Sequence, residues 1–192
     1  MFISKFLLST VAALSLAIGA SAQQSGQPDG TLVANGQTDD TYNLIKRQGY
    51  NYETPDRSRD HVNAPFQHIQ QAFDSKLGKP VFLFYIHATI DDDRGLPKIN
   101  DRQRNEIKTD SKSPASMVAQ QGETMTLKWK FQLPKGFKMS RKFTHIHQLK
   151  GLDNRDHTAA VGAPLITFTC YDKGNGRETL EVRYDDRTNG QG

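Results

Sequence analysis

Apolar and polar residues alternate along most of the chain from Pro65 onward, and turn formers interrupt the alternation at short intervals. Residues 123–133 show the pattern best. Met125, Leu127, Trp129, Phe131 and Leu133 fall on one side of an extended chain, and Thr124, Thr126, Lys128, Lys130 and Gln132 on the other. Gly122 opens this run and Pro134-Lys135-Gly136 closes it. The same reasoning predicts strands over 66–73, 81–90, 102–109, 142–150, 165–171 and 179–184, with a break at Gly78-Lys79-Pro80. Residues 68–77 also suit a short helix. Strands at this spacing, with no sustained 3.6-residue period, predict an all-β protein built as a sandwich or barrel.

The N-terminus reads differently. Lys5 precedes a mostly apolar run over 6–20, and Ala20-Ser21-Ala22 supplies the small residues that a signal peptidase accepts. That run is shorter than the roughly 20 residues a membrane span needs. Residues 1–22 are therefore expected to be a signal peptide, which places the protein in the periplasm or outside the cell. Residues 23–41, rich in Gln, Gly, Asp and Asn, are expected to be a flexible leader. Residues 42–192 are left for a single β-sandwich domain, and its segment up to about Asn63 reads as loop with a short strand.

Charge excludes some functions and selects none. The chain has 25 Lys+Arg against 21 Asp+Glu, a net charge of +4, compatible with an anionic ligand but not a nucleic-acid-binding signature. The expected partners accordingly include no nucleic acid and no membrane, and the protein is expected to be a monomer. The single cysteine, Cys170, lies in an apolar run and is expected to be a buried, inert thiol.

Three segments concentrate chemistry. In the strand over 102–109, the period of two sets Arg102, Arg104, Glu106 and Lys108 on one face, either as a ligand-facing row or as a charged exposed strand. In the segment 142–150, the period of two sets His145 and His147 on one face, with Ile146 pointing away into the core. Such a pair suits a metal site, ordinary packing, or acid–base work. In the segment 81–90, Phe82, Phe84, Ile86 and Ala88 read as core, so that Tyr85 and His87 face the other way, as a packed pair or a functional one. The run Asp91-Asp92-Asp93 offers carboxylate oxygens for a structural calcium ion, or is a solvated turn.

These segments together resemble the secreted jelly-roll (concanavalin A-like) polysaccharide lyases, a group that includes alginate lyases and relatives of heparin lyase I and glucuronan lyase. Arg104-Asn105-Glu106-Ile107-Lys108 is similar to their Arg-x-Glu-aliphatic-Arg strand, with Lys108 in place of the last arginine. His145-Ile146-His147 is similar to their Gln-Ile-His strand, with His145 in place of glutamine. The resemblance covers residues 65–184. It implies β-elimination at a 4-linked uronic acid of an acidic polysaccharide, without a cofactor or catalytic metal. Arg104, helped by His145 or Gln148, would neutralise the substrate carboxylate, and His147 or a tyrosine would remove the C5 proton. Lys108, Lys128, Lys130 and Lys150 would line the groove, with Arg102 and His87 as further binding residues. A bulge in the strand would instead bring Gln148 and Lys150 into the groove. The C-terminal tyrosine segment of such lyases has no counterpart here, so the resemblance implies that the jelly roll is incomplete at its C-terminal end, and Tyr85 is the expected substitute acid. Two other readings stay open: a non-catalytic carbohydrate-binding domain or inactive lyase remnant, and a jelly-roll glycoside hydrolase, which requires a pair of catalytic carboxylates.

Overall fold

The structure is a computed structural model, and it describes residues 29–56, 66–86, 102–120, 122–152 and 162–185. Seven strands, all paired antiparallel, one short α-helix and two single-turn 3-10 helices (Thr38–Asp40 and Ala115–Met117) make up its regular structure among these residues, so the protein is all-β with little helix. The strands are β1 (Asn51–Glu53), β2 (Ile69–Asp74), β3 (Lys79–Phe84), β4 (Glu106–Lys108), β5 (Thr144–Leu149), β6 (Ile166–Asp172) and β7 (Glu178–Tyr184), and the helix α1 is Thr41–Arg47. They form two pairs, β1–β4 and β2–β3, and one three-stranded sheet in the order β5-β6-β7.

Most of the tightest packing lies around α1. Leu44 and Ile45 are buried where α1 packs on β1 and β2, and Ala34, Pro55, Ile69 and Met117 are buried too. The helix ends at Gly49, which adopts φ +82. Gly49 N–H donates to Lys46 O and Tyr50 N–H to Ile45 O, so the last helical carbonyls are satisfied by a left-handed cap. A Cβ at Gly49 would meet Met117 Sδ and Pro114 Cδ at 2.8 Å, so glycine is required there on two counts.

The leader expected over 23–41 is tied down at its C-terminal end. Gln71 Oε1 accepts the N–H groups of Asn35 and Gly36, and Gln71 Nε2 donates to Gln37 O. Thr38 Oγ1 donates to Gln71 O. One buried glutamine on β2 thereby replaces the ladder that this polar segment cannot form for itself.

The strands over 66–73, 142–150, 165–171 and 179–184 form close to where they were expected, and β2 is a strand, not the alternative helix. The segment up to Asn63, read as loop with a short strand, also holds α1; β3 begins at Lys79, inside the expected break; and only Glu106–Lys108 of the strand expected over 102–109 forms. Two further expectations fail. Residues 123–133 pair with no other strand among the described residues, and Met125, Leu127, Trp129 and Phe131 remain 37–48% exposed. This segment is held by rings instead of a ladder, since Trp129 stacks on His147 at 4.2 Å and approaches Phe168 at 5.3 Å. In β3 and just beyond it, Phe84 and Ile86 are about half exposed and form no core face, because β2–β3 is a two-stranded ribbon with no further strand beside it among the described residues. Cys170 is fully buried, and burial pushes its thiol pKa up, as suits an inert side chain. Among the described residues no helix is long and apolar enough to cross a membrane.

Candidate functional site

The row on β4 forms as its alternation requires, and a partner strand completes it. In the β1–β4 register Glu53 stands opposite Glu106 and Asn51 opposite Lys108. Glu53 therefore sits inside the charged row: Lys108 Nζ donates to Glu53 Oε1, and Arg104 Nη1 lies 3.6 Å from Glu53 Oε2. Glu106 has the opposite environment. Burial, reinforced by the neighbouring Glu53 carboxylate, raises its pKa, and Lys108 only partly offsets this. The pair divides its roles, with Glu53 among the cations and Glu106 retaining its proton to higher pH.

The strand β5 reaches the same row through a bulge. His145 stands opposite Thr169, but His147 stands opposite Phe168 and Gln148 opposite Thr167, so the register slips by one at Ile146. Opposed residues share a face, and alternation along β6 places Thr167 and Thr169 on one side and Phe168 on the other. The bulge thus separates the two histidines. His145 and Gln148 share the polar face, and His147 lies on the apolar face with Trp129 and Phe168. Gln148 Nε2 donates to Glu106 Oε2 at 3.1 Å, joining β5 to the charged row of β4.

The chemistry of His145 follows from its partners. Its Nδ1 lies 2.7 Å from Thr169 Oγ1, and Thr169 in turn donates its hydroxyl hydrogen to Thr167 Oγ1 at 2.9 Å. When the Thr169 hydroxyl donates to Thr167 it accepts from Nδ1–H, and in that tautomer Nε2 keeps its lone pair. Burial, and then the Arg183 guanidinium, lowers the His145 pKa, so the ring is neutral at neutral pH. Phe143 stacks on it at 4.6 Å and fixes the ring plane. Such a histidine is oriented to take a proton. The His147 pKa is lowered too, by burial among its ring neighbours.

The polar face continues across β6 and β7. Thr167 stands opposite Arg183, Thr169 opposite Glu181 and Tyr171 opposite Thr179. Arg183 Nη1 donates to the Tyr171 phenol oxygen at 2.6 Å, and Lys173 Nζ lies 4.3 Å from the centre of that ring while pairing with Glu181 at 2.7 Å.

Comparison with family models, curated proteins and solved structures finds no match to this chain.

Of the residues singled out from the sequence, the structure brings Arg104, Lys108, His145 and Gln148 together. His147 is carried to the other face. Tyr85 lies beside the row, not in it: Asn105 Nδ2 bridges Tyr85 O and His68 O, and the Tyr85 ring packs edge-on against Phe66. Arg102, Lys128, Lys130 and Lys150 are exposed. His87 and the Asp91-Asp92-Asp93 run lie outside the described residues. Sequence reasoning missed Glu53, Thr169, Tyr171 and Arg183. The signal for three of them was present, since Thr167-Thr169-Tyr171 and Thr179-Glu181-Arg183 are polar alternate positions on strands whose other positions are apolar. Glu53, on a three-residue strand, offered no periodicity to read.

Proposed function

We propose that this chain is an exported protein of jelly-roll architecture that binds an acidic polysaccharide and cleaves it by β-elimination at a 4-linked uronic acid. The observation that carries this reading is the Gln148–Glu106 hydrogen bond, which unites the Arg104-Glu106-Lys108 row and the His145 end of β5 on one polar face. The resemblance of these two strands to those of polysaccharide lyases supports it further.

Elimination requires three services, and the polar face holds a group for each. The C5 hydrogen becomes acidic only when the adjacent carboxylate is neutralised, and Arg104 and Gln148 supply a cation and a hydrogen-bond donor. His145 Nε2, with its free lone pair, takes the C5 proton. The electrons form the C4–C5 double bond as the C4–O4 bond breaks. Tyr171 then gives its proton to O4, because its oxygen accepts from Arg183 and its hydrogen is left for a third partner. In this arrangement His147 is a packing residue, and the base is the histidine on the other side of the bulge.

A hydrolase reading gains a carboxylate pair in Glu53 and Glu106. These two are opposed in register and in direct contact, which leaves no room for a sugar between them. A binding protein without turnover is the second reading, favoured by the exposure of His145 and Gln148 on an open sheet. One experiment tests both. The purified chain is mixed with alginate, glucuronan and heparin-like polymers while ultraviolet absorbance is followed. An unsaturated product is expected, with kcat for His145→Ala lower by about 100-fold or more and His147→Ala retaining turnover. No product with any polyuronate overturns the lyase reading, and measured binding without product establishes the second one.

A further inference from the structure

The last strand of the β5-β6-β7 sheet has an edge with no ladder partner among the described residues. Which of its backbone groups point outward follows from the ladder on its inner side. Asp185 N–H donates to Leu165 O at 2.8 Å and Lys173 N–H to Arg177 O at 2.8 Å, so the odd-numbered residues of this strand form the hydrogen-bonded pairs with β6. Hydrogen-bonded pairs recur at every second residue of an antiparallel ladder, and the N–H and C=O groups of Glu178, Leu180, Val182 and Tyr184 therefore point away from β6. The side chains of Leu180, Val182 and Tyr184 are 49%, 70% and 73% exposed. Strand edges are ordinarily protected by charged side chains, proline or a bulge; β7 has no proline and no bulge, and its charges, Glu178, Glu181 and Arg183, are of both signs.

We propose that this edge is the docking site for a second copy of the chain, β7 pairing antiparallel with β7 about a two-fold axis at Val182. Charge complementarity selects the partner and the register. An axis at Glu181 would set Glu181 against the partner's Glu181, a destabilising like-charge pair. Moving the axis one residue, to Val182, sets Glu181 opposite the partner's Arg183 and Leu180 opposite the partner's Tyr184, each twice by symmetry. Val182 meets the partner's Val182 on the axis. The same register places the outward-pointing amides of Leu180, Val182 and Tyr184 opposite one another, where they can bond across the seam. The side chains have capacity to spare for these contacts. Glu181 uses Oε1 for Lys173 and Thr179, and Arg183 uses Nη1 for Tyr171, which leaves Oε2 on one and Nη2 and Nε on the other. Two three-stranded sheets become one of six strands, and the polar faces that carry Thr169 and Arg183 run on into each other.

The inference departs from the monomer expected from the sequence and does not depend on the proposed activity. It is tested by measuring the molar mass of the full chain in solution by light scattering over a range of concentrations. The expected result is a mass twice that of the single chain, falling to the single-chain value on dilution. Val182→Lys, which sets two ammonium groups face to face on the axis, is expected to be monomeric with an unchanged circular dichroism spectrum. Glu181→Arg alone is expected to weaken the dimer, and the exchange Glu181→Arg with Arg183→Glu to restore it. That restoration keeps the test decisive if Val182→Lys fails to fold. A wild-type chain that stays monomeric at every concentration overturns the proposal, as does a dimer unaffected by Val182→Lys and Glu181→Arg.

Discussion

Glu106 shows how much one position depends on its neighbours. It stands in a row of charges, yet it is the member of the row whose ionisation the fold opposes, through burial first and the Glu53 carboxylate second. A carboxyl whose pKa is raised by folding holds its proton more tightly in the folded state. That contribution is complete below the unfolded carboxyl value and is lost as pH rises through the raised native value. Glu106→Gln retains an oxygen to accept from Gln148 but has no proton to lose. The groups facing it, Glu53, Arg104, Lys108 and Gln148, are unchanged in the variant. The stability of Glu106→Gln relative to wild type should therefore increase from acid to neutral pH, as measured by denaturant unfolding at a series of pH values. A stability difference that stays flat with pH would show that Glu106 ionises as easily in the fold as out of it. Asp56 has the reverse behaviour on the same scale. Burial opposes its charge, but hydrogen bonds from His68, Tyr42 and the His68 N–H outweigh this and lower its pKa. Its contribution is present above the ordinary carboxyl range and is lost as pH falls through the lowered native value.

At the scale of elements, one extra residue in β5 decides which histidine joins the polar face. Deleting Ile146 would remove the bulge and leave His145 opposite Thr169, His147 opposite Phe168 and Gln148 opposite Thr167. The deletion is expected to cost about 1–2 kcal/mol in unfolding free energy, as a moderate loss of packing does, and to leave both histidines on their present faces. Turnover or binding that depends on His145 should then survive. If β5 were instead regular, the same deletion would slip every residue after Ile146 to the opposite face, and activity lost without loss of stability would point to that. The bulge also explains what was and was not legible in the sequence. The alternation read over 165–171 and 179–184 predicted β6 and β7 to within one residue at each end, because each alternates without interruption. His145 and His147 were read as sharing a face because a period of two carries no sign of an inserted residue. The helix α1 was not foreseen, since seven residues are too few to display a 3.6-residue period. Residues 123–133 have the clearest strand pattern in the chain and yet no ladder among the described residues, because alternation reports which side is apolar and not whether an edge is available. Trp129 is what holds this segment to the sheet. Trp129→Ala is expected to lower stability by about 1–2 kcal/mol and to make residues 122–134 the first site of cleavage in limited proteolysis. A cleavage pattern identical to wild type would mean that other contacts secure the segment.

Across the whole molecule the net charge of +4 is too small to define a partner, and its distribution matters more. On the polar face Arg104 and Lys108 surround Glu53, while Lys173 and Arg183 flank Glu181. Two cations are gathered around each of these carboxylates. A face of that kind suits a polymer with one carboxylate per sugar and neutralises a few carboxylates at a time. Binding should therefore require the carboxylates and weaken with salt, since exposed charges are screened beyond roughly 8 Å at physiological ionic strength. The expected outcome is measurable affinity for a polyuronate, none for the same polymer after its carboxyl groups are reduced to alcohols, and a steady loss of affinity as salt is raised. Arg183→Ala removes one cation of the second cluster and should both weaken binding and flatten its salt dependence. The measurement is a binding titration repeated over a series of salt concentrations for both proteins. Equal affinity for the reduced polymer would sink the electrostatic account, because the sugar surface alone would then be recognised and the charged row would have another purpose.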